Sequence, residues 1–174
     1  MKDRLAPLLQ HFELRSRVFY TGNLCQLVNF DAVEGVGHLH LLKAGTLEIT
    51  APGTVVQRID EPSLIFYPRI ASHRLQPEGR EGADLVCASI EFGADVGNPL
   101  ILGLPALLVL PLHEAPAIAG VLDALFSEAF AEHNGREAAL NRLCEVVLIH
   151  LLRHTVEHGL LRAGVIAGLA DARL

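Results

Sequence analysis

The chain has 174 residues, 51% of them hydrophobic and 20% charged, a balance that supports one domain with a sizeable core, or one domain with a helical appendage. Its formal net charge of -6 leaves no broad basic field of the kind that grips a nucleic-acid backbone. Three cysteines without short spacing form no disulfide framework and fit a reducing cytoplasm, the N-terminus has no apolar h-region of a secretory signal, and the apolar stretch around PLILGLPALLVLPL is too interrupted by Pro99, Pro105 and Pro111 for a membrane helix.

Leu5, Leu8 and Leu9 suggest a short helix between Met1 and His11, with Pro7 near its first turn. Short strand-like runs follow at Arg17 to Thr21, Leu24 to Phe30, Val36 to Leu42 and Gly45 to Thr50, then TVVQRI, SLIFYP, His73 to Leu75, and Asp84 to Phe92. Turn signals punctuate them at Thr21-Gly22-Asn23, Glu34-Gly35, Ala44-Gly45 and Pro52-Gly53, and the polar stretch Gln76 to Asp84 is a surface connection. Many short strands with little helix between them predict an antiparallel sandwich or barrel.

After Gly93 a short helix at Pro99 to Gly103 and an extended run at Ala106 to Leu110 are expected. From Glu114 the pattern turns helical. Ile118, Val121, Leu122, Leu125, Phe126 and Ala129 form one stripe ending at Asn134-Gly135, and Arg136 to Glu157 makes a longer helix stopped by His158-Gly159. That helix is apolar on two sides, with Leu140, Leu143, Cys144, Val147 and Leu151 on one and Val146, Ile149 and Leu152 on another. One side is expected on the barrel and the other in a homodimer interface, although both could be buried within one subunit.

Imidazole and thiolate are the ligand types of zinc and iron, and a strand's period of two puts His38 and His40 on one face. Cys25 and Cys87 are each expected to be buried in an apolar strand-like segment of their own, and His73 follows the proline-led turn in FYPRIASHRL. Taken singly, a histidine or cysteine in a β core is more often a packed side chain than a ligand; the combination is what marks a candidate metal site. Cys144 reads as core, and His150, His154 and His158, at four-residue spacing, as a solvated or pairing helix face rather than a metal site. No nucleophile elbow or phosphate loop is present.

The segments GHLHLLKAGTLEI, SLIFYPRIASHRL, LVCASIEFG and NPLILGLPALLVLP, with VFYTGNLCQLVNF before them, resemble the N-terminal cupin domain of AraC-type bacterial transcription regulators from about Val18 onward. The resemblance implies a mainly β fold with an α tail: a cupin-like antiparallel β-barrel over residues 1–112, then a helical dimerisation and linker pair over 113–174. Carried over by motif, it implies a metal set of Cys25, His40, His73 and Cys87, with His38 as the alternate and zinc as the expected metal. Asp31 and Val33 stand where the general cupin pattern has paired histidines, which weakens the case for a cupin oxygenase or isomerase. A regulatory sensor that is not an enzyme follows, homodimeric through its helices, answering to a metal or small effector and reaching DNA only through a helix-turn-helix domain absent from this chain. The alternatives are a stand-alone metal-dependent cupin enzyme and a metal-free ligand-binding cupin module.

Overall fold

A computed structural model describes residues 5, 6, 9, 13–93 and 99–160. Among the described residues nine strands run in the order β1 (Leu14–Leu24), β2 (Val28–Phe30), β3 (Val36–Ala44), β4 (Leu47–Thr50), β5 (Gln57–Ile59), β6 (Ser63–Tyr67), β7 (His73–Pro77), β8 (Ala83–Phe92) and β9 (Leu108–Pro111). A short helix α1 (Pro99–Leu102) precedes β9, and α2 (Pro116–Ala129) and α3 (Arg136–Glu157) close the described chain. The strands form two antiparallel sheets, of order β1-β8-β3-β6-β9 and β2-β7-β4-β5.

The five-stranded sheet is buried on both faces, and the alternation in HLHLL decides which residue goes where. Leu39, Leu41, Leu64, Phe66, Val86, Ala88 and Ile90 meet Leu140, Cys144, Val147, Leu148 and Leu151 of α3 together with Ile118, Leu122 and Leu125 of α2. Leu42, Ile65, Tyr67, Leu85 and Cys87 turn the other way, onto Leu47, Ile49, Ile59 and Leu75 of the four-stranded sheet. The outcome is three layers, small sheet, large sheet and helix pair, with two separate cores. The expected division at residue 112 falls at a single 3-10 turn, Leu112–Glu114, and the helices beyond it share a core with the large sheet.

Most predicted elements stand where the sequence puts them; three do not. Thr21-Gly22-Asn23 is no turn, since β1 continues through it, with Gly22 opposite Leu85 and Asn23 opposite Asp84. Pairing along the long strand β8 overrides the local turn signal. Of the expected strand Leu24 to Phe30 only Val28–Phe30 pairs, in the other sheet, because Cys25 to Leu27 carry the chain from one sheet to the other. Finally α2 ends at Ala129, short of Asn134-Gly135. There Arg136 donates from Nε to the Glu128 carbonyl at 3.1 Å, and from Nη2 to the Ala129 carbonyl and, at 2.6 Å, to Thr21 Oγ1 of β1. A guanidinium thus receives the carbonyls that a helix C-terminus leaves unpaired. Gly135, at φ +79°, instead starts α3.

The predicted N-terminal helix and the C-terminal segment Gly168 to Leu174 lie outside the described residues, apart from Leu5, Ala6 and Leu9. The Leu9 amide donates to the Leu5 carbonyl at 2.9 Å, as in a helical turn. No helix among the described residues is long and apolar enough to cross a membrane.

Candidate functional site

The space between the sheets holds the histidines. His40 is fully buried, and His73 and His38 nearly so, at 3% and 9% exposure. His38 and His40 share the face of β3 turned to the small sheet, and His73, opposite Phe30 on β2, reaches them from β7. Nε2 of His40 lies 2.8 Å from Nε2 of His73. The His73 ring is stacked between Tyr67, at 3.9 Å, and Phe30, at 4.9 Å between centroids. Phe30 also packs on His40 at 4.7 Å and His38 at 5.6 Å.

This geometry fixes the protons. Nδ1 of His73 lies 3.0 Å from the Ala71 carbonyl, which only accepts, so Nδ1 carries the hydrogen. Burial lowers the His73 pKa to about 4, outweighing that bond, so near neutrality the ring is uncharged and its Nε2 is a lone pair. His40 must then donate from Nε2. Burial, with His73 and His38 close by, holds its pKa well below the usual histidine value, so its Nδ1 is also a bare acceptor. That atom is buried with no hydrogen-bond partner among the described residues, and so is the Tyr67 hydroxyl, whose pKa burial pushes up to about 12. Buried polar atoms are nearly always paired, and each orphan costs about 1–3 kcal/mol.

A first prediction follows. Tyr67→Phe removes one orphan and keeps the ring on His73, so without any ligand it is expected to be neutral or to stabilise by about 1 kcal/mol in urea unfolding. A loss of 2 kcal/mol or more would mean that the hydroxyl has a partner.

The expected four-ligand set is not assembled. Cys87 sits opposite His40 across β3 and β8, but burial raises its pKa, keeping the thiol protonated rather than a ready thiolate. Cys25 is exposed at the end of the barrel, where Sγ bonds Asn23 Oδ1 at 2.9 Å beside the Gly82 turn. Leu24, the residue before it, opposes Ala83, four residues before Cys87, or roughly 13 Å along the strand. The two sulfurs therefore lie too far apart to share an ion at zinc–sulfur distances of about 2.3 Å. Among the described residues no three or more His, Cys, Asp or Glu side chains are grouped as the ligands of a metal ion are. This includes His150, His154 and His158, where His154 and His158 stack at 4.0 Å beside a cleft shared with Glu114.

Aromatic neighbours were the part of the site that motif reading missed. A bulge interrupts β1 between Val18, opposite Ala88, and Tyr20, opposite Cys87. Strict alternation would send Tyr20 to the helix side with Val18, whereas the extra residue turns it to the barrel core. Phe19, the bulged residue, stays 48% exposed at the mouth, 6.0 Å from Phe30 and 6.2 Å from His38. Beside Phe30 and His73 a cleft of about 660 Å³ opens, lined also by Asp31, Thr54, Ser72 and Arg74.

No curated protein matches the chain. Among solved structures it is similar to unsaturated fatty acid bound ToxT from Vibrio cholerae, at 12% identity over 90% of this chain and 60% of that one, with a TM-score of 0.47. A second ToxT structure matches at 14% identity over 82% of this chain and 57% of that one, TM-score 0.43. A mutant of the oxalate decarboxylase OxdC from Bacillus subtilis matches at 16% identity over 71% and 31%, TM-score 0.32. The chain thus spans about three fifths of the length of the ToxT chains. A family model described as cupin matches residues 3–157. With two antiparallel sheets enclosing a histidine cluster and that match covering most of its length, the chain belongs to the cupin family.

Proposed function

We propose that this chain is the effector-sensing domain of an AraC-type transcription regulator, and that its effector is a small molecule bound between the sheets at His40 and Tyr67. The observation that carries the binding site is the pair of buried side-chain atoms, His40 Nδ1 and the Tyr67 hydroxyl, that have no hydrogen-bond partner among the described residues. An acceptor without a donor and a hydroxyl without a partner suit a ligand that offers both a donor and an acceptor group. A neutral His73 stacked with Phe30 and Tyr67 suits an apolar or sugar-like body more than a charged one. The regulator reading is supported by the order of the sequence motifs, the cupin membership and the helix pair packed on the barrel. Homodimerisation through α3, DNA binding through a further domain and a cytoplasmic location belong to the same proposal.

The chain has no tryptophan and two tyrosines, Tyr20 and Tyr67, both packed in the barrel core, so tyrosine emission reports on this site. A small-molecule screen read by thermal shift and tyrosine emission is expected to yield binders whose affinity falls tenfold or more in His40→Leu and Tyr67→Phe. Binders indifferent to both substitutions would overturn the proposed site. Fused to a DNA-binding domain that represses only as a dimer, the chain is expected to restore repression; failure to do so would count against the dimeric regulator.

One observation favours a second reading, a transition metal on the histidines. The His73 Nδ1 bond to a backbone carbonyl is how protein metal sites orient a histidine whose Nε2 is the ligand. In this reading His40 and His73, with His38 beside them, would hold the ion, and Cys25 would take no part. Stoichiometric metal in the purified domain, lost in His73→Ala, would establish it.

A further inference from the structure

Strand β1 lies at the edge of the large sheet, and its outward amides are received by α3. The Ser16 N–H donates to Glu145 Oε1 at 3.3 Å, the Ser16 hydroxyl to the Asn141 carbonyl, and the Val18 N–H to Asn141 Oδ1 at 2.8 Å. On an edge strand, alternate amides point away from the sheet, so residues 16 and 18 are the pair able to do this. Three residues further on, Thr21 Oγ1 takes the hydrogen bond from Arg136 at the first position of α3. Between these anchors sits the bulge that turns Phe19 to the barrel mouth and Tyr20 to the barrel core. One six-residue segment, Ser16 to Thr21, thus carries two aromatic rings on the ligand side and is bonded by three residues of α3 on the other.

We infer that this bulged segment is the transmission element of the domain, and that Asn141 is the positioning residue through which the state of the barrel sets the seating of helix α3. The inference rests on the proposed ligand site only for what would push on Phe19 and Tyr20. The mechanical link stands by itself. At a bulge the extra residue is already unpaired and the ladder locally interrupted, so shifting that residue disturbs the sheet less than shifting a paired one. Moving Phe19 shifts the Val18 amide, and that amide is held by the Asn141 side chain rather than by another strand. Glu145 is itself held by Arg142 at 2.9 Å, which fixes the second attachment to the same helix face. Coupling between two sites needs an element with two arrangements that both sites bias, and in this inference the bulge between its two anchored flanks is that element.

The test needs no effector. Amide hydrogen exchange is followed in the 174-residue chain carrying Phe19→Ala, Asn141→Leu and both, with Phe19→Leu and Asn141→Asp as conservative partners. Phe19→Ala is expected to speed exchange at least fivefold in the first turns of α3, residues 136–145, and to leave β4 and β7 of the small sheet unchanged. In the Asn141→Leu background the same substitution is expected to add less than twofold. Asn141→Asp, which keeps the acceptor, is expected to restore the full effect. The inference is overturned if Phe19→Ala and Phe19→Leu both leave α3 exchange unaltered, if they speed exchange equally in both sheets, or if the effect persists with Asn141→Leu. A clear cycle in a barrel that binds no small molecule would leave this inference standing and remove the effector reading instead.

Discussion

On acidification from pH 6.5 towards pH 4 the domain is expected to lose stability steeply. His73, His40 and His38 are all held below the ordinary histidine pKa by burial, His73 at about 4. Above pH 6.5 the rings are neutral in both folded and unfolded chains, and their contribution to stability is fully present. Below 6.5 the unfolded chain takes up protons that the folded one refuses, so stability falls until the folded pKa is reached. Each buried histidine gives a slope of about 1.4 kcal/mol per pH unit, so His73 alone accounts for about 3 kcal/mol by pH 4. His40, more deeply buried, acts in the same direction. Urea unfolding at pH 7.5, 6.5, 5.5 and 5.0 checks this. The wild-type midpoint is expected to drop across the series, while the double variant His40→Gln, His73→Gln, which keeps only His38 of the three, is expected to drop far less. A wild-type midpoint constant from pH 7.5 to 5.0 would mean that the cluster is solvated.

The acid sensitivity and the ligand proposal come from the same arrangement. A neutral His40–His73 pair is stable only while water is excluded, and that exclusion leaves Nδ1 of His40 without a partner. A ligand group that donates to this nitrogen would stabilise the folded state according to its concentration and affinity. Such a ligand is therefore expected to raise the urea midpoint most near neutral pH, where the lone pair is free.

What could be read from the sequence, and what could not, divides along one physical line. The HLHLL alternation correctly put His38 and His40 on one face, because side-chain parity along a paired strand is a local property. The range of α3 and its stop at His158-Gly159 were equally legible, since periodicity and the glycine C-terminus lie within the helix itself. Cys25 was misplaced because its position depends on where β1 ends, and β1 runs past a local turn signal on the strength of its pairing with β8. The bulge at Phe19 left no mark in the sequence either, as it arises from registering β1 against β8 while its edge is held by α3. The aromatic half of the site, Phe30 and Tyr67 around His73, required knowing which strands face each other across the barrel. Ring stacking there joins residues from β2, β6 and β7, a relation that no window along the chain contains.

Gly45→Ala is expected to be among the most damaging single substitutions in the domain, at roughly 3–5 kcal/mol. Gly45 has φ +92°, a left-handed conformation that costs a residue with a Cβ about 1–2 kcal/mol. A Cβ there would also run into the Gly82 carbonyl oxygen and approach Ala83 Cα to 2.8 Å, and both obstacles are backbone. The β3–β4 turn is thus seated directly on the β7–β8 turn, where Gly82 at φ +70° packs against Asn23, Leu24 and the Cys25 sulfur. Gly53 separates the two causes. Its φ of +74° is equally left-handed, but a Cβ there would meet nothing within 4 Å. Gly53→Ala is therefore expected to cost only the conformational part, about 1–2 kcal/mol. Urea unfolding of the two variants side by side checks the argument, and equal losses would mean that the turns do not touch.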